Sequence, residues 1–235
     1  MHEVMREPMD ASRPAGFAVL RVPFFLEPDY PEDSSFEETN LNRLQRKWGG
    51  KAEFEAQKNR HRLKERGHEV GIPRFDNQRT ASNTMASHRL VQWVTREYGS
   101  ELAEKLYQEL NYNHFELGQK LNDEEFLARA AASVGVSRDD ALHVIRNGVG
   151  REYIQAAQKL LRRMGIHSIP TFIVDGKYVL GGAVPARELV ELFRSIESSP
   201  DEESGGFVFA EALGIPAERL AESLPMPDRV YKAIA

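Results

Sequence analysis

Between Phe17 and Leu26 the chain reads FAVLRVPFFL, a dense run of apolar and β-forming residues closed by Glu27-Pro28-Asp29. The run predicts one buried strand, with Pro23 marking a strand end, a bulge or an edge. PDYPEDSS (28–35) carries turn chemistry. From Leu41 the apolar period lengthens. Leu41, Leu44 and Trp48, then Phe54 and Leu63, predict amphipathic helices over 41–71, broken at Gly49-Gly50 and ended at Gly67, with solvated charges between. From Ser82 to Gly165 the pattern is almost wholly helical. Ser82 or Asn83 can cap a helix bearing Met85, Leu90, Trp93 and Val94. Further helices are predicted over 101–118, 122–135, 137–148 and 151–165, the third opened by a Ser-x-x-Asp capping box.

After Gly165 the period changes again. TFIV (171–174), Asp175-Gly176 and KYVLGG (177–182) predict a hairpin, because Asp-Gly is a strong two-residue turn signal. PARELVELFRSIE (185–197) predicts a helix opened by proline, with Leu189, Leu192, Phe193 and Ile196 on one face. Residues 1–16, broken by Pro8 and Pro14, and 198–206 read as loose or linker; 207–235 reads as a proline-punctuated helical tail.

Composition narrows the function classes. The 235 residues fit one large domain or a domain with an insertion, and 41% hydrophobic residues can fill a core. With 31 basic against 36 acidic residues the net charge is −5, which excludes a dedicated nucleic-acid binder. No apolar run has membrane-span length and the first residues carry no secretory signal, so no membrane partner and a cytoplasmic location are expected. The chain has no cysteine, which removes disulfides, thiolate metal sites and cysteine nucleophiles from it. His61 and His68, seven apart on a charged helix without paired acids, do not predict a metal site. Gly181-Gly182 lacks the spacing and lysine of a phosphate loop.

HSIPTFIVDGKYVLGGA (167–183), with Met164-Gly165 ahead of it, makes the pattern specific. It resembles the DsbA-like thioredoxin-fold family, and within it the branch of FrnE and 2-hydroxychromene-2-carboxylate isomerase. VPFFLEPDYPEDSS, NTMASHRLVQWV and ELNYNHFELGQKLND resemble further stretches of that branch, so the likeness covers about 17–197. It implies an α/β fold: a thioredoxin-like part over 17–74 and 166–197 and an all-helical insertion over 75–165. It also implies a cis Ile169–Pro170 bond that turns the backbone of Ile169 outward, toward an extended peptide or a thiol ligand. The alternative is a loop proline that only ends one helix and starts a strand. His88, in SHRL, is either a pocket histidine near that loop or a hydrogen-bonded structural one. Arg89 is either an acid-binding group or a solvated or ion-paired helix arginine. Tyr112, His114 and Phe115 either line a groove or pack between helices.

The family's chemistry comes from a Cys-x-x-Cys motif at the start of its first helix, where the helix dipole and backbone N–H groups favour the thiolate. A strand–helix–strand unit takes roughly 30 residues or more, and sixteen precede Phe17. The first strand and the active-site helix are therefore expected to be missing, with no catalytic residue assigned. Ser12, the only serine nearby, lacks the strand–helix context of a nucleophile. A longer natural chain, a shifted strand 17–26, or a strand from another chain would each resolve the gap. Three functions are compatible: a thiol–disulfide oxidoreductase by descent that is redox-inactive as this chain, a binding module for peptides or small thiols with Ile169, Pro170 and His88 as binding residues, and a glutathione-dependent isomerase or transferase. No cofactor other than glutathione is implied, and the oligomeric state is not readable.

Overall fold

The computed structural model describes residues 1–12, 15–69, 71–74, 79–199 and 204–220. In chain order the elements are α1 (His2–Arg6), β1 (Glu38–Thr39), α2 (Asn40–Trp48), α3 (Lys51–His61), α4 (Leu63–Glu69), β2 (Thr80–Ala81), α5 (Met85–Tyr98) and α6 (Ser100–Leu117). They continue with α7 (Glu124–Ser133), α8 (Arg138–Arg146), α9 (Arg151–Arg163), β3 (Thr171–Val174), β4 (Tyr178–Gly181), α10 (Ala186–Glu197) and a single 3-10 turn (Ala217–Arg219). The described residues fold as two compact units: those within 1–24, 95–101 and 152–220 form the first, and those within 25–94 and 102–151 form the second. Residues 25–69 belong to the same unit as the helical block, while α9 carries the core of the first unit.

The second unit is built on helices. Leu90, Val91 and Val94 of α5, Leu106 and Leu110 of α6, and the apolar faces of α7 and α8 share one buried cluster. Helix starts follow the sequence signals. Thr39, Asp123 and Ser137 accept from the backbone N–H of Asn42, Phe126 and Asp140. Asn83 rather than Ser82 caps α5, accepting from Met85 N at 2.7 Å, while Ser82 Oγ accepts from Leu121 N at 3.0 Å. Strands β1 and β2 form an antiparallel pair two residues long. Beside it, burial and a hydrogen bond to Glu38 push the Tyr30 phenol up to about 12.

In the first unit the expected strand 17–26 is not formed: these residues belong to neither two-stranded sheet of the described chain. The side-chain pattern is nevertheless that of a strand, since Leu20, Val22 and Phe24 all reach the core around Ala157 and Leu161 of α9. A strand is defined by its ladder as well as its side chains, and no described strand lies alongside to supply one. Pro23 O accepts instead from Gln158 Nε2 at 2.6 Å. Residues 1–16, expected loose, contain α1, which packs on α10 and buries Val4 completely. Met9 N donates to Glu197 Oε1 at 2.8 Å, and the Phe17 ring meets Phe193 edge-on at 4.9 Å.

The hairpin forms as its turn residues dictate. Thr171 pairs with Gly181, Phe172 with Leu180, Ile173 with Val179 and Val174 with Tyr178. Asp175 and Gly176 both take left-handed backbone angles, φ 54° and 66°, as a type I′ turn requires. Lys177 N closes the turn on Val174 O at 3.1 Å. Of the predicted tail, 207–220 is a helical turn followed by the 3-10 turn; 221–235 lies outside the described residues, as does 75–78 at the expected start of the helical block. No helix among the described residues is long and apolar enough to cross a membrane.

Candidate functional site

Helix α9 ends in paired cap bonds, Gly165 N to Arg162 O at 3.1 Å and Ile166 N to Leu161 O at 3.0 Å, which satisfy carbonyls left over at the helix end. The chain then runs through His167, Ser168 and Ile169 into Pro170, and the Ile169–Pro170 peptide bond is cis. Both sides of that bond are tied down. Thr171 Oγ1 donates to Ser168 O at 2.8 Å, and Gly182 N donates to Pro170 O at 2.8 Å, extending the β3–β4 pairing by one bond. Ile169 stands clear of these bonds. Its side chain is 49% exposed, and its backbone N–H and C=O make no hydrogen bond among the described residues.

Three residues on, Phe172 is 37% exposed. With Leu180, Val174 and Tyr178 it forms one face of the hairpin, because residues two apart and their cross-strand partners share a side. On the opposite face Ile173, half-buried, packs against the margin of the core. The loop thus presents a half-open apolar ledge beside an unengaged pair of backbone groups. That geometry can receive an extended segment. The loop contains no sulfur, so nothing in it can attack a disulfide.

His88 lies on α5 in the second unit, half-buried, its ring edge-on to Phe25 at 5.1 Å. Arg89 is 4% exposed and donates to the carbonyls of Val144 at 2.8 Å, Ile145 at 2.9 Å and Val149 at 3.1 Å, and its charge helps to lower the Glu32 pKa. A guanidinium at the C-terminal end of α8 complements the helix dipole as well as the carbonyls of its last turn. Ser12 is held at the surface, its hydroxyl donating to Asp10 Oδ1 at 2.7 Å. His61 Nε2 lies 3.0 Å from Gln57 Oε1.

His114 is buried in the second unit between two fixed partners. Its Nδ1–H donates to Gln119 O at 2.8 Å, which leaves Nε2 to accept from Arg79 Nε at 3.1 Å. Arg79 also lies over the Phe115 ring at 4.6 Å, while Tyr112 is 47% exposed. Burial pushes the imidazole pKa down to about 4, and the charges of Arg79 and Arg43 act in the same direction against the Gln119 bond. This histidine closes the segment after α6. Among the described residues no three histidine, aspartate or glutamate side chains converge as metal ligands.

Residues 4–194 match the family model described as the DSBA-like thioredoxin domain. The match spans most of the sequence, and the chain belongs to that family. It starts at Val4, ahead of Phe17, where the sequence resemblance begins. Among solved structures, the chain is similar to the crystal structure of a probable DsbA oxidoreductase from Streptomyces coelicolor. The two share 20% identity with a TM-score of 0.65, over 77% of this chain and 74% of that one. No curated protein matches. The fold is α/β, DsbA-like, mostly helical, with small sheets.

Proposed function

We propose that this protein is a FrnE-type member of the DsbA-like family that binds an extended peptide or a small thiol at the Ile169–Pro170 loop and, as this polypeptide, does not exchange disulfides. The family's general class, thiol–disulfide oxidoreductase, supplies the binding half of the reading. The composition supplies the other half, because exchange begins with attack by a thiolate and the chain holds no cysteine. The observation that carries the binding is the half-exposed Ile169, whose backbone groups are unengaged while both neighbours of the loop are bonded. An extended ligand recognised this way gains main-chain hydrogen bonds at Ile169 and apolar contact with Phe172. The reading rests on Ile169 and Pro170, with His88 kept as a further binding residue that the family resemblance implies.

The test is a titration of the full chain, ¹⁵N-labelled, with reduced glutathione and separately with an extended apolar peptide. Shifts concentrated at Ile169–Phe172, and lost in Ile169→Asp, are the expected result. A flat response at millimolar concentrations of both ligands would overturn the binding proposal. Insulin reduction by the purified chain is expected to stay at the blank rate, and turnover attributable to the chain would overturn the redox-inactive half.

A further inference from the structure

Ser204–Leu220 lies beyond the family match, which ends at 194, yet it supplies four of the buried side chains of the first unit: Phe209, Leu213, Ile215 and Leu220. The hairpin and α10 supply none: no residue of β3, β4 or α10 is fully buried. Ile173 touches the core only from its margin.

The segment is fixed at both ends of its described length. At its start, Gly205 N donates to Asp175 O at 3.0 Å and Ser204 Oγ donates to Asp175 Oδ1 at 2.6 Å. The two backbones are so close that a Cβ on Gly205 would stand 2.5 Å from Asp175 O, and one on Gly176 would collide with the Gly205 carbonyl. Farther on, Leu213 N bonds Phe209 O and Ile215 N bonds Ala210 O, closing a helical turn whose Leu213 carbonyl accepts from Arg96 Nη1 at 3.2 Å.

We propose that residues 204–220 are a strap that clamps the tip of the β3–β4 hairpin onto the α9 core, and so fixes the loop at the hairpin's base. A two-stranded hairpin is marginal alone in water, and this one has little burial of its own. The strap replaces the missing burial with a backbone clamp at Asp175–Gly176 and an apolar anchor two turns away. Its action on the hairpin does not depend on a ligand; only its consequence for capture at Ile169 rests on the function proposed above.

Hydrogen exchange on the full chain tests this. Gly205→Val removes the clamp and Leu213→Ala loosens the anchor, while Gly181→Ala is the control, since nothing lies within 4 Å of the added methyl and its φ is ordinary. Both test variants are expected to speed exchange in 171–181 by about tenfold or more while the α9 amides stay protected, with the control unchanged. If Gly205→Val fails to fold, Leu213→Ala carries the measurement. Deprotection of 207–215 with 171–181 unchanged would overturn the strap. Absence of ligand shifts in the parent chain, with the hairpin deprotected in both test variants, would count against the binding site and leave the strap standing.

Discussion

Arg79 Nε donates to Nε2 of His114 at 3.1 Å, so the structure requires the neutral imidazole at that position. The ring's pKa of about 4 lies below the 6.5 of an unperturbed histidine. Between those values the unfolded chain binds a proton that the folded chain refuses. The contribution of His114 to stability is therefore complete above about pH 6.5 and is lost as pH falls toward 4, on the order of 3 kcal/mol in all. His114→Gln does not titrate and is expected to flatten the dependence of urea stability on pH across that window. An unchanged slope in the variant would assign the effect to other groups.

Arg89 donates to the carbonyls of Val144, Ile145 and Val149, the first of which also accepts from Val149 N at 3.2 Å. Arg89→Met keeps the apolar stem and removes every donor, at an expected cost of about 2–4 kcal/mol. Arg89→Lys retains the charge but not the fork and is expected to recover less than half. Denaturation midpoints at unchanged m values read both. A neutral Arg89→Met would mean that water satisfies the carbonyls.

The sequence made the hairpin and the helices legible because their signals are local: Asp175-Gly176 sets a turn, and Asp123 and Ser137 set helix starts. It misread 17–26 for the opposite reason. The alternation of Leu20, Val22 and Phe24 names the face that turns inward, but a strand also needs a neighbour, and the neighbour is not encoded in the segment. Residues 2–6 are too few for a helical period to emerge, so the burial of Val4 left no trace. The loop at Ile169–Pro170 was found through the resemblance. Arg89 gave no signal, since its partners are backbone carbonyls some 55 to 60 residues away along the chain.

Val4 is 0% exposed on a five-residue helix that packs on α10. A helix that short has no stability of its own, so its order must come from the docking. Val4→Ala removes two buried methyl equivalents and is expected to cost about 1–3 kcal/mol. Limited proteolysis should then cut earlier within 1–12 than in the parent chain. A variant equal to the parent in both measurements would return this segment to the loose state that its prolines suggest.

Gly214 has φ 60°, and a Cβ there would run into the Tyr153 ring of α9. Gly214→Ala therefore meets two penalties, left-handed backbone and a steric clash, together about 2–4 kcal/mol. The two can be separated by a double-mutant cycle. Tyr153→Ala removes the ring, and with it the stacking of Arg96 at 4.6 Å, so it costs stability alone. In that background Gly214→Ala should lose only the backbone penalty, roughly 1 kcal/mol. A coupling of at least about 1 kcal/mol, read from thermal or urea midpoints, is the expected outcome. Strict additivity would mean that the 207–215 turn does not sit against α9 as closely as the contact requires.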